Sequence, residues 1–262
     1  MPAEILAADQ RLTSAGYSIE KGKRLTRVDY PPYSRSSART IEVSFARLKR
    51  RGRITKIFDA DYYGPGGNQV RFGLYPLLGG SETQLLVSQD VPRGGAQWIA
   101  RLSPKFKVIF DGQKWGVGRE GDDMRIVDLD HDGTYEIIVP ITDFYELQDK
   151  MSIAQIPLPE IIFKFDPAAG EYLPANSSYP ECRSANSESY DRAVDNSDDL
   201  QTRSRILHPL LDRIYEGKEA EAWSIFNRDY RLADKAEVER RVKTILQNQP
   251  TYKFIYKNAH ER

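Results

Sequence analysis

The sequence predicts a mainly β protein, an antiparallel meander, barrel or propeller-like sheet, with an α-helical appendage at the C-terminus. Three observations predict it. From Thr40 to about Ala175 the apolar residues recur mostly with period two, the spacing of half-buried strands. Turn signals rich in glycine and proline separate these runs at intervals of about ten residues. After the Ser- and Asn-rich stretch that ends near Asp199, the apolar spacing changes to that of helices.

The strands follow in order. "IEVSF" places Ile41, Val43 and Phe45 on one face, "AQWIARL" does the same for Ala96, Trp98, Ala100 and Leu102, and "KFKVIF" for Phe106, Val108 and Phe110. Turns are expected at "YYGPGGN" (Tyr62 to Asn68), "LGGSE", "PRGG" and "FDGQ", and a last hairpin, Ile161 to Ala175, reverses at Pro167 to Gly170. These strands close a β-rich domain over residues 1–175. Residues Asn176 to Asp199 are poor in aliphatics and rich in Ser, Asn and Asp, so they bury too little apolar surface to offset their ordering and read as a flexible linker. A helical segment, 200–262, follows. Leu207, Leu210, Leu211 and Ile214 share one helix face, and Val238, Val242, Ile245 and Leu246 share another. Asp234 with Glu237 three places on predicts a capping box at the start of the second helix. Pro209 either starts the first helix or kinks it. Gly217, Ala222 and Phe226 have the spacing of the small and aromatic positions of a tetratricopeptide hairpin, and one such unit is either a helical cap packed on the sheet in cis, the simpler reading, or a partner-docking helix pair.

Composition narrows the function classes. Lys plus Arg and Asp plus Glu both number 38 in 262 residues, so no global field favours nucleic acid or an anionic membrane; the basic run Arg47 to Arg53 reads as a solvated strand end or turn. The lone Cys182 excludes an intrachain disulfide framework and a Cys-based zinc site. No apolar run approaches the roughly 18 residues that span a bilayer. The N-terminus "MPAEILAADQ" lacks the basic-then-apolar order of a secretory signal, so a secreted location would require that one had been removed.

The strongest local signal is "DLDHDGTYE", Asp128 to Glu136. It sets acids at places one, three, five and nine and a glycine at place six. Hard divalent cations take six to eight oxygens, and a turn that presents alternate side chains on one concave side supplies them. Asp128, Asp130, Asp132 and Glu136 would give carboxylate oxygens, Thr134 its carbonyl, and Gly133 the sharp reversal. With Asp122 and Asp123 there are six acids in fifteen residues against Arg125, so an ion-free turn carries a repulsion that calcium removes. An EF-hand needs Glu at place twelve and flanking helices; here Val139 stands there and the flanks "MRIV" and "EIIVPI" are strand-like. The loop resembles the calcium loops of FG-GAP and VCBS-type repeats, the integrin-like β-propeller repeats of bacterial surface proteins. That resemblance covers about twenty residues and implies a calcium that pins a turn between two strands, a structural or interaction role, a secreted or periplasmic location, and a protein or glycan partner.

Other chemical signals are weak. Gly116, Gly118 and Gly121 spell G-x-G-x-x-G but run into a strand rather than a helix, so they read as turn glycines. His131, His208 and His260 are scattered, and His131 occupies a non-ligand place that points to solvent. An enzyme, a cell-envelope hydrolase, would have to use acids such as Asp143 or Glu146. Carbohydrate or peptide recognition would need an exposed platform from Tyr62, Tyr63, Phe72, Tyr75, Trp98 and Trp115, which core packing explains more simply. The linker reading makes one checkable statement: limited proteolysis should cut first within Asn176–Asp199, and early cleavage inside Thr40–Ala175 would contradict the boundary.

Overall fold

The computed structural model describes residues 12–28, 39–59, 69–91, 94–117, 124–180, 182 and 199–257. Among them are twelve strands in three four-stranded antiparallel sheets, with four helices at the C-terminal end and no closed barrel. The contacts divide the chain into two units. One runs to Tyr135 and includes Phe165–Tyr172; the other is Glu136–Lys164 with Leu173 onward.

In the first unit, β1 (Leu12–Ser14), β2 (Tyr17–Val28), β3 (Arg39–Arg50) and β4 (Arg53–Phe58) form one sheet in sequence order. Two hairpins close on two-residue turns with positive φ at both positions, Ala15 and Gly16 (49° and 76°) and Arg51 and Gly52 (49° and 77°). This primed geometry matches the strand twist, and glycine carries the more left-handed half. The inward face of β3 departs from the expected one. Ser44, Ala46 and Leu48 are buried along with Val43, while Ile41 and Phe45 are half-buried. Phe45 faces Gly22 across the strand pair, and its ring fills the space where a Cβ on Gly22 would stand. A large ring can lie on the outer face because its neighbour has no side chain.

The second sheet, β5 (Gln69–Tyr75), β6 (Gln84–Val91), β7 (Gly94–Arg101) and β8 (Lys107–Asp111), is also in sequence order. Ile19, Leu48 and Phe58 of the first sheet share one core with Phe72, Val87 and Trp98 of the second. The rings of Phe58 and Trp98 lie 5.7 Å apart. Buried Gln89 gives its amide nitrogen to the Ser44 carbonyl (2.7 Å) and to Asp59 (3.3 Å), which satisfies that buried donor. The expected turn at "FDGQ" is a single helical turn, α1 (Gly112–Trp115), capped by Asp111 and closed by Gly116 at φ 69°.

The third sheet has the order β12 (Glu171–Pro174), β11 (Glu160–Asp166), β10 (Glu136–Pro140), β9 (Arg125–Val127). Ile137, Ile138 and Val139 pair with Phe163, Ile162 and Ile161, and all six are buried. A continuous apolar run buried on both faces explains why period two fades here. The β11–β12 hairpin turns at Pro167–Gly170 as expected, with Asp166 accepting from the Ala168 and Ala169 amides (2.7 and 3.2 Å) and Gly170 at φ 65°. Asn176, the first residue of the expected linker, donates to the Glu160 carbonyl (2.8 Å) and accepts from the Ile162 amide (3.1 Å). Residues 181 and 183–198 of that segment lie outside the described residues.

The C-terminal helices are α2 (Asp199–Tyr215), α3 (Glu219–Asp229), α4 (Lys235–Asn248) and α5 (Pro250–Lys257). Leu207, Leu210, Leu211 and Ile214 are buried, as are Val238, Val242, Ile245 and Leu246, following the predicted spacing. Pro209 lies inside α2, not at its start. Gly217, at φ 85°, ends that helix: its amide bonds Ile214 O and the Lys218 amide bonds Arg213 O (both 2.9 Å), which is a Schellman closure. Ala222 and Phe226 are buried at the positions the hairpin spacing picked out. The expected capping box is absent. Asp234 stands at the N-cap, but its carboxylate accepts from Arg203 (2.9 and 3.1 Å) and the Tyr230 hydroxyl (3.0 Å), and Glu237 pairs with Lys150 (3.0 Å). A charge-assisted bond to a guanidinium outweighs one to an exposed amide.

These helices dock in cis on the connector between β10 and β11. Ser204 bonds Gln155 O (2.9 Å), Arg241 holds Asp149 (2.7 and 2.9 Å), and Gln249 holds Asp143. His208 is 4% exposed, and burial pushes its pKa from 6.5 down to about 4. Between those values the unfolded chain binds more protons than the folded one, so stability rises with pH through the window and is lost as pH falls from 6.5 to 4. The loss should be on the order of 2–3 kcal/mol. Urea unfolding across this pH range should show it, and His208→Gln should flatten the curve; an unchanged slope would contradict the assignment.

Candidate metal centre

The acidic loop joins β9 to β10 and is shaped by two left-handed residues, His131 (φ 58°) and Gly133 (φ 85°). The backbone is wound by its own acids. Asp128 Oδ2 accepts from the Gly133 amide (3.2 Å), and Asp132 Oδ1 accepts from the Thr134 amide (2.7 Å) as an Asx turn. The loop rests on the β5–β6 connection, where the Tyr135 amide bonds Leu77 O (2.9 Å). A Cβ on Gly79, itself at φ 72°, would come within 3.0 Å of Gly133 O. Only glycine fits both that backbone and that approach. The Tyr172 hydroxyl adds a bond to Tyr135 O (3.0 Å).

Carboxylate oxygens of Asp128, Asp130 and Glu136 lie within 4.8 Å of one another. Asp128 is partly buried, Asp130 exposed, and Glu136 wholly buried at the first residue of β10. Asp128 Oδ1 is shielded from solvent and accepts no hydrogen bond. Asp132 is exposed and stands outside this triad, its Oδ1 engaged by the Thr134 amide; Thr134 is half-buried beside it. His131 is exposed, as its place in the pattern predicts. Asp122 and Asp123 lie outside the described residues. Among the described residues this is the one group of three or more acids, histidines or cysteines close enough to share an ion.

Sequence reasoning missed the groups behind Glu136. Lys164 Nζ lies 3.7 Å from Glu136 Oε1 and donates to the Tyr179 hydroxyl at 3.2 Å. Burial pushes the Tyr179 hydroxyl well above the ordinary phenol range; its bond to Lys164 opposes this, and its bond to Glu136 adds to it. A charge in the apolar run "IIFKF" was the available signal for Lys164, since a lysine set among buried apolar residues calls for a partner. Tyr179 sat in the stretch read as linker and gave none.

The residues of the hydrolase reading follow the loop and β10 in sequence, on the connector to β11. Asp143 is bonded by Gln249 at the start of a 3₁₀ turn, and Glu146 is exposed with its carbonyl bonded by Arg241. Gly116 closes α1, whereas Gly118 and Gly121 lie outside the described residues. Phe72, Trp98 and Trp115 are buried and Tyr75 lies over Gly73, so these four are packing residues; Tyr62 and Tyr63 are outside the described residues. Cys182 is half-buried and forms no disulfide.

No family model, curated protein or solved structure matches the chain. The ion pair makes a direct prediction. Lys164→Met leaves the Glu136 carboxylate buried without its ammonium, and because Lys164 is itself one-third exposed the loss should be about 1–3 kcal/mol. Urea unfolding without added metal should measure it, and an unchanged midpoint would mean that Lys164 does not hold Glu136.

Proposed function

We propose that the Asp128–Glu136 loop binds calcium, and that the chain is a non-catalytic structural or interaction protein of the bacterial envelope or secreted fraction. The observation that carries this reading is the convergence of Asp128, Asp130 and Glu136 within 4.8 Å. The donor set fits a hard cation. All three donors are carboxylate oxygens, the solvent-shielded Asp128 Oδ1 has no hydrogen bond to lose, and no thiolate or imidazole joins the group to favour zinc. Asp132 and the Thr134 carbonyl, next in the pattern, would complete the shell after a small turn of the Asp132 side chain away from the Thr134 amide. Calcium tolerates the irregular geometry of such a loop better than magnesium, which demands a near-ideal octahedron.

The role is structural because the candidate ligands belong to one tight turn between two strands. An ion there would neutralise acids that otherwise repel and would fix the entry to β10. The likeness to FG-GAP and VCBS calcium loops, in which calcium pins a turn between two strands, supports the same reading. Open loops of this kind fill at roughly 10⁻⁴–10⁻³ M calcium, the range of extracellular modules, which favours a secreted or periplasmic setting.

Thermal unfolding of the wild type and Asp130→Ala in calcium and in chelator tests the proposal. Calcium at 100 times its dissociation constant should add about 2.7 kcal/mol to the wild type and little to the variant. Equal melting of the wild type in both solutions would overturn it.

A further inference from the structure

Glu136 belongs to two groups at once. With Asp128 and Asp130 it contributes a carboxylate oxygen to the 4.8 Å cluster. It is also paired across the sheet: the register that sets Ile137 against Phe163 brings Lys164 of β11 beside Glu136 of β10, with Nζ 3.7 Å from Oε1. The two partners differ in their freedom. Glu136 has no solvent exposure, whereas the Lys164 side chain is one-third exposed. Tyr179 gives the ammonium a second hold, since its hydroxyl accepts from Nζ at 3.2 Å and its ring centroid lies 5.7 Å away. A lysine is a compact charge on a flexible stem, so this ammonium can leave Glu136 for Tyr179 and water, while the buried carboxylate has to stay.

An ion shared by the three carboxylates and an ammonium held on one of them repel each other, and the repulsion grows with the charge of the ion. Each therefore weakens the other's hold on Glu136, by the same factor in both directions. Resting on the calcium reading of the loop, we propose that Lys164 is a tethered counter-ion that calcium displaces from Glu136. In the metal-free chain it neutralises a carboxylate that would otherwise be buried with only like charge for company. The same ammonium lowers the affinity of the loop for calcium, and it discriminates more strongly against trivalent ions, whose repulsion with it is larger. Lys164 thus sets both how tightly the loop binds and which ions it takes.

Calorimetric titration of the full chain with calcium and with terbium tests this. Lys164→Met should bind calcium at least about fivefold more tightly than the wild type, and its gain for terbium should be larger still. Lys164→Arg, which keeps the charge, should stay closer to the wild type than to Lys164→Met. Urea unfolding supplies the other half of the cycle: the stability that Lys164→Met loses without metal should be partly recovered in saturating calcium. A lysine that only packed against β10 would cost the same stability with and without the ion. Lys164→Gln, which retains a donor for Tyr179, provides the same comparison if Lys164→Met does not fold without metal, and circular dichroism checks the fold of each variant. Calcium bound by the wild type, with affinity unchanged or weakened in the neutral variants, would overturn this inference and leave the calcium reading standing. Absence of calcium binding in the wild type and the neutral variants alike would overturn both.

Discussion

A carboxylate with no solvent exposure at the head of a strand is the constraint around which the acidic loop is built. Glu136 starts β10, and its neighbours along that strand are apolar and buried against β11. A charge in that position is tolerable only with partners, since its desolvation otherwise costs several kcal/mol. Lys164 and Tyr179 supply them from one side. Asp128 and Asp130 approach within the same loop, and they add like charge rather than relief. Lys164 is the cation placed against Glu136, and the proposed divalent cation would offset the like charge of the three carboxylates. The loop's shape is set by the left-handed residues His131 and Gly133, by the Asp128 and Asp132 turns, and by the close approach to Gly79. Such preorganisation lowers the ordering cost of binding.

Much of the fold was legible because local patterns and tertiary packing agree. Trp98 lies in a strand read from spacing alone, the Pro167–Gly170 turn follows from its residues, and Leu207 through Ile214 mark the buried face of α2. Where partners distant in sequence decide, the pattern misled. Phe45 could be half-exposed only because Gly22 is opposite it on another strand. Asp234 left its cap for Arg203, 31 residues earlier. Asn176 reads as a linker residue by composition, yet its amide bridges the Glu160 carbonyl and the Ile162 amide along β11.

The candidate site divides in the same way. Asp128, Asp130 and Glu136 were legible from their spacing, because the ligands of such a turn are local in sequence. Lys164 was not, since its meeting with Glu136 depends on the pairing of β10 with β11.

The central claim is that the carboxylates of one turn share a divalent cation, and calorimetric titration of the metal-free chain with calcium tests it most directly. The account predicts about one calcium per chain, bound at millimolar or lower concentration, with binding abolished in Asp128→Asn, which keeps the side chain's shape and removes its charge. No heat of binding at millimolar calcium, or an unchanged titration in Asp128→Asn, would contradict it.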